Sequence, residues 1–169
     1  MSYYYLSAII NSKLISFIYI NTSTIAQKDD FRQTDLKTLR DLPIILPNET
    51  AKESLEKLAA ELEENWKSFH VEKIRVGAVL KSKYKVKVGI RIANLHKYTN
   101  EEVAGDFPKL SLKETEELLE YLNEKRELIS SISETIIDLE NKIDNLIYQL
   151  YELTEEETLI VEDRIKLII

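Results

Sequence analysis

Lys81, Lys83, Lys85 and Lys87, with Arg91 four residues further on, are the residues whose type and spacing best suit a polyanion. On one face of a β-strand, successive members of such a ladder stand about 6.6 Å apart, close to the phosphate repeat along one nucleic-acid strand. Two other uses stay open. Lysines on an exposed strand deter edge-to-edge pairing, and they can also face an acidic partner or this chain's own acidic end. Other chemistry finds little support. Asp138, Glu140 and Lys142 reproduce the letters of a carboxylate nuclease, but their alternate spacing on a helix spreads them around its surface. His70 and His96 have no Cys partner, and no Ser or Asp arrangement marks either as the base of a nucleophile. Three isolated glycines cannot build the cofactor loop of a methyltransferase, and no Asn-Pro-Pro-aromatic motif is present. No metal, no cofactor and no catalytic residue is expected, so the chain is not expected to be an enzyme by itself.

The net charge of -7 over 169 residues argues against a uniformly basic nucleic-acid binder, yet the charges are unevenly placed. Residues 70–100 hold eight basic groups and one acidic group, whereas residues 101–169 hold seven and nineteen. Such a local positive excess beside an acidic end is more informative than the total. Cysteine is absent, which excludes disulfides and thiolate metal sites. The apolar stretch from Tyr3 to Ile20 is interrupted at its middle by Asn11, Ser12 and Lys13, and it lacks a basic flank and a small-residue cleavage site. It reads as a buried helix, and a cytoplasmic protein without membrane contact is expected.

The elements that must position these groups follow from periodicity and punctuation. A first helix is expected from residue 4 to about Phe17. Asn21 to Gln27 reads as a loop, Lys28 to Arg32 as a charged turn, and Thr34 as the cap of a short helix ending before Pro43. Pro43 to Pro47 is expected to be extended and buried. Thr50 with Glu53 predicts a capped helix whose apolar face is Leu55, Leu58, Ala59, Leu62 and Trp66. From Ile74 to Ile92 nearly every even position is apolar, which predicts two strands joined near Lys81 to Lys83, one face buried and one cationic.

Beyond Pro108, Ser111 with Glu114 predicts a capping box opening a long helix through Leu153. Its seam is Ile132, Ile136, Leu139, Ile143, Leu146, Leu150 and Leu153, at alternating steps of four and three. The run Ser130, Ser131, Ser133 is poor in helix formers, so a bend or a hairpin turn there stays open. Thr154 with Glu157 predicts a fresh helix from Glu155 to about Lys166. The fold class expected is α+β, a small antiparallel sheet covered by helices, with a long C-terminal helix or helical hairpin. Residues 1–107 would form one region, helices plus the two-stranded basic segment, and residues 108–169 a long helical one.

The stretch from residue 5 to residue 47 resembles the TaqI-like C-terminal specificity domain of adenine-specific DNA methyltransferases, most closely that of type IIG restriction and modification enzymes. The carrying residues are Ile10-Asn11-Ser12-Lys13-Leu14, Asp35-Leu36-Lys37 and Leu42-Pro43-Ile44. The run from Leu146 to Glu157 resembles the close of the same enzymes, except that Glu152 stands where a glycine is usual. The resemblance implies a target-recognition module, here only its C-terminal portion, that grips double-stranded DNA while a neighbouring domain flips out and methylates an adenine. It adds Lys28, Arg32, Lys37 and Arg40 to the candidate DNA contacts. Weak binding by the chain alone is expected, with methyltransferase and nuclease domains of the same system as further partners. The competing expectation is a helical interaction or oligomerisation module, a coiled coil whose seam binds a partner helix or forms a homodimer.

Overall fold

A computed structural model of the chain describes residues 2–23 and 36–166. Every regular element among the described residues is helical, and none is a strand. The expected antiparallel sheet is therefore corrected, and the reason lies in a degeneracy of the pattern. Residues four apart share a face in a strand and nearly so in a helix, so an even-numbered apolar row satisfies both. Val76, Leu80 and Tyr84 are 1%, 0% and 9% exposed, whereas Ile74, in the same even row, is 73% exposed. That is one buried helical stripe, not one face of a strand. Helix α4 accordingly runs from Glu49 to Tyr84.

The chain gathers into two compact units, Met1–Leu62 with Asp138–Ile169, and Glu63–Ile137. In the first unit, α1 (Tyr3–Ile10) and α2 (Lys13–Thr22) replace the single helix expected there. The Ser12 hydroxyl accepts from the Ile15 N–H at 3.2 Å and donates to the Ile9 carbonyl at 2.7 Å, so one side chain ends α1 and caps α2. Helix α3 (Leu36–Arg40) stops short of Pro43, as expected. The segment 43–47 has no regular structure and is held by two tyrosines. The Tyr5 hydroxyl donates to the Ile45 carbonyl at 2.7 Å, and the Tyr151 hydroxyl donates to that of Pro43. Burial of this segment is only partial, because Leu46 is 78% exposed. Asn48 rather than Thr50 caps α4, accepting from the Ala51 N–H at 2.9 Å. Tyr5, Ile9, Ile15, Leu55, Ile143 and Ile147 are central to this unit's core.

Helix α7 (Leu112–Leu150) is unbroken through Ser130, Ser131 and Ser133, which settles the open choice in favour of a continuous helix. Its end is a Schellman arrangement: the Leu153 N–H reaches the Tyr148 carbonyl at 3.0 Å and the Glu152 N–H that of Gln149 at 3.1 Å. This motif needs a left-handed residue, and Glu152 takes that place with φ of 55°. Thr154 and Glu157 then cap α8 (Glu155–Lys166) reciprocally, as the sequence predicts.

In the second unit, α4 is followed by a non-helical stretch 85–88, then α5 (Ile90–Ala93), a 3-10 turn (Leu95–Lys97) and α6 (Asn100–Ala104). Thr99 and Glu102 form a full capping box on α6, in what reads from the sequence as an acidic connection. Gly77 lets the stretch after α4 lie close, since a Cβ there would meet Val88 Cγ1 at 3.3 Å. The Arg126 guanidinium on α7 donates to the Leu95 carbonyl at 3.2 Å and to Asn100 Oδ1, joining the turn and α6 to the long helix. Phe69, Leu80, Ile92, Leu95, Leu118 and Leu122 are among this unit's buried residues.

Candidate nucleic-acid interface

The structure disperses the cationic candidates. Lys28 and Arg32 lie outside the described residues. Lys37 and Arg40 are exposed in the last turn of α3, in the first unit. Lys81 and Lys83 belong to the last turn of α4, not to a strand, and a spacing of two on a helix turns them to different sides. Lys83 pairs with Glu117 at 2.9 Å and lies over the Tyr84 ring at 5.2 Å from its centroid. The Glu117 carboxylate, with the Tyr84 hydroxyl, holds the Lys83 pKa above its ordinary value. Lys85 has φ of 54°, the left-handed conformation of a helix end. Lys87 is exposed in the stretch after it. Arg91, on α5, is engaged by Asp106 at 2.6 Å. The regular phosphate-spaced ladder is thus corrected: Lys81, Lys85 and Lys87 face solvent without an ion pair, while Lys83 and Arg91 are neutralised within the unit.

Lys13, which the sequence does not single out as a charge with a task, is held by two carboxylates. Its backbone N–H donates to Asp144 Oδ1 at 2.9 Å, and its Nζ pairs with Asp144 Oδ2 at 3.4 Å and Glu162 Oε1 at 3.1 Å. The Tyr148 hydroxyl donates to the same Glu162 oxygen at 2.8 Å. Burial pushes the Asp144 carboxyl above its usual range despite Lys13. Burial pushes Glu162 the same way, but hydrogen bonds from Tyr148 and Lys13 outweigh it and leave that carboxyl low. The Asn-Ser-Lys stretch at 11–13 thereby ties the junction of α1 and α2 to α7 and α8. A lysine at the start of a helix, where its charge opposes the dipole, is the sequence signal that it answers to carboxylates elsewhere.

In the second unit, Trp66 stacks on His70 with ring centroids 5.5 Å apart, and Phe69 meets His96 edge-on at 5.2 Å. Burial, then Lys73 and Lys97, holds the His96 imidazole below its usual pKa. Lys73 donates to Asn94 Oδ1 at 3.0 Å and stands over the Phe69 ring. His70 and Lys73 also line an open groove of about 400 Å³, together with Ile74, Ala78, Lys81 and Val88. The histidines are therefore parts of an aromatic cluster, His70 on α4 and His96 in the 3-10 turn. Among the described residues no group of three or more His, Cys, Asp or Glu could hold a metal ion. Asp138 and Lys142 simply pair along α7 at 2.5 Å.

The helical seam faces inward. Ile136, Leu139 and Ile143 are 3–4% exposed, and Leu146, Leu150 and Leu153 pack on the first unit's core, while Ile132 is half-buried. No helix among the described residues is long and apolar enough to cross a membrane.

Comparison with known proteins assigns these parts. Residues 44–147, more than half of the chain, match the family model of a domain of unknown function, DUF8810. The chain belongs to the DUF8810 family. Its residues 1–44 match a second family model, the TaqI-like C-terminal specificity domain, in agreement with the resemblance read from the sequence. The chain is also similar to a protein of Methanocaldococcus jannaschii named as a type II restriction enzyme and methyltransferase, with 62% identity over 47 residues. That alignment covers 28% of this chain and 4% of the relative. No solved structure matches the chain. In this DUF8810 chain, the second unit falls wholly within the segment of unknown function. Lys13, Lys37 and Arg40 belong to the TaqI-like segment.

Proposed function

We propose that the chain is a DNA target-recognition fragment of a fused restriction and modification enzyme, without a catalytic centre of its own. The observation that carries this reading is the match of residues 1–44 to a specificity domain, supported by the relative named for restriction and methylation. Lys37 and Arg40, exposed at the end of α3, and Lys28 and Arg32 before it are the cations that this segment offers to a duplex. Lys81, Lys85 and Lys87 add a second group of solvated charges, without strand spacing. Charges of this kind grip phosphates and orient the protein, while sequence is read by contacts with base edges. The chemistry on the target adenine, extruded from the stack, belongs in this reading to a methyltransferase domain beside it, with a nuclease domain as further partner.

Fluorescence anisotropy of a labelled duplex, titrated with the chain at several salt concentrations, tests the proposal. Binding should weaken steeply as salt rises, because each phosphate contact releases a counterion. Lys37→Glu with Arg40→Glu should flatten the logarithmic salt slope by about two, one for each lost contact. Absence of binding at low salt would sink the reading. A Lys37 and Arg40 variant that binds like the parent would remove α3 from the interface.

A further inference from the structure

The groove of the second unit combines features that a phosphate backbone does not require. Ile74, which is 73% exposed, lines it with Ala78, Val88 and the cations Lys73 and Lys81. Among the described residues no carboxylate lines it. A lining that combines apolar side chains with cations suits a segment with apolar side chains flanked by acidic ones. The outer face of α8 has that composition. Glu156, Leu159, Ile160 and Asp163 fall at the three- and four-residue steps of one helical stripe. Leu159 and Ile160 are 62% and 59% exposed, while Val161 and Ile165 on the inner side are buried. Glu156 is exposed and carries no ion pair, and Asp163 has only the exposed Lys166 at 3.4 Å. Ile74, Leu159 and Ile160 are thus exposed among the described residues.

We propose that α8 of one copy docks into the groove beside α4 of a second copy, Leu159 and Ile160 against Ile74 and Val88, with Glu156 and Asp163 facing Lys73 and Lys81. The contact is between unlike surfaces. Repeated reciprocally it closes a dimer, and repeated one way it extends with concentration. It leaves the buried α7 seam untouched.

Light scattering of the purified chain over a range of concentrations, without DNA, tests this separately from recognition of a duplex. The mass should rise above that of one chain as concentration increases. Lys81→Glu, at an exposed position without an ion pair, should weaken association by about tenfold or more, as should Ile74→Asp. Glu156→Lys alone should do the same, and Lys81→Glu combined with Glu156→Lys should restore it. Circular dichroism melts identify any variant that has lost its fold, and the exposed Glu156 variant then carries the test. A chain that stays monomeric throughout overturns the proposal. So does association that Lys81→Glu and Glu156→Lys leave unchanged. If Lys81→Glu lowers only affinity for a duplex, the groove is a nucleic-acid surface instead.

Discussion

The two units bury polarity in opposite ways. In the first, Asp144 is 5% exposed and stays with Lys13, Glu162 and Tyr148 in a connected set of charges and hydrogen bonds. In the second, the half-buried His96 sits against Phe69 with Lys73 and Lys97 nearby, and its buried Nδ1 has no hydrogen-bond partner. A charge taken out of water must bring its counter-charge, whereas an imidazole can shed its proton and remain neutral. The lesson concerns function as well as stability. Lys13 of the TaqI-like segment is held by Asp144 and Glu162, whereas Lys81, Lys85 and Lys87 of the second unit are exposed.

The largest expected effect separates the faces of α4. Leu80→Ala, which empties a fully buried site, should cost about 3 kcal/mol, while Ile74→Ala should stay within about 0.5 kcal/mol. Trp66, the sole tryptophan, lies in this unit, and its fluorescence during urea unfolding reports the difference. Equal effects at the two positions would restore a strand-like reading of the segment.

Lys13→Ala should cost slightly less, about 2–3 kcal/mol, because Asp144 would remain buried without its cation. Denaturation followed by circular dichroism measures this. Lys13→Ala combined with Asp144→Ala should recover part of the loss, and a double variant worse than the sum of the singles would refute the pairing.

A smaller effect distinguishes the units by pH. The His96 pKa is lowered in the folded state, so its contribution to stability is present above the ordinary histidine value of about 6.5 and is lost as pH falls through the folded one. The urea midpoint seen by Trp66 should therefore fall on mild acidification, and His96→Gln should flatten that slope. In the first unit, Glu162 titrates lower, and its contribution is lost only as pH falls below the usual glutamate range. Asp144, raised by burial, runs the other way: its contribution is lost as pH rises through its folded value.

The smallest expected effect joins the units through a shared device. Glu152 and Lys85 both hold left-handed conformations, at φ of 55° and 54°. Glycine at either place should stabilise by about 0.5 kcal/mol, the relief of backbone strain less the entropy that glycine adds to the unfolded chain. Thermal melts resolve this when the two substitutions are combined. A loss of stability would show that one of these side chains makes a contact worth more than its strain.

Much of the C-terminal half was legible locally. Ser111 with Glu114 and Thr154 with Glu157 form the reciprocal caps that their spacing predicts. The apolar steps from Ile136 to Leu153 lie on the inward side of α7 and the turn after it. Thr99 with Glu102 carried the same signal but was masked by the acidic residues around it. The residues from Ile74 to Ile92 misled because periods of two and four coincide, and only the burial of Leu80 against the exposure of Ile74 distinguishes them. The candidate site was legible as a surplus of positive charge but not as a surface. Whether Lys83 meets Glu117 or Arg91 meets Asp106 depends on which helices pack.

The sequence by itself therefore determined the starts of α7 and α8, the inward side of α7 and the kinship of residues 1–44, all of which depend on residues close together in the chain. Tertiary structure alone decided that Lys13 is spent on Asp144 and Glu162, 131 and 149 residues away. It also decided which face of α4 is covered. Burial and pairing of charges depend on partners remote in sequence, and local preference carries no record of them.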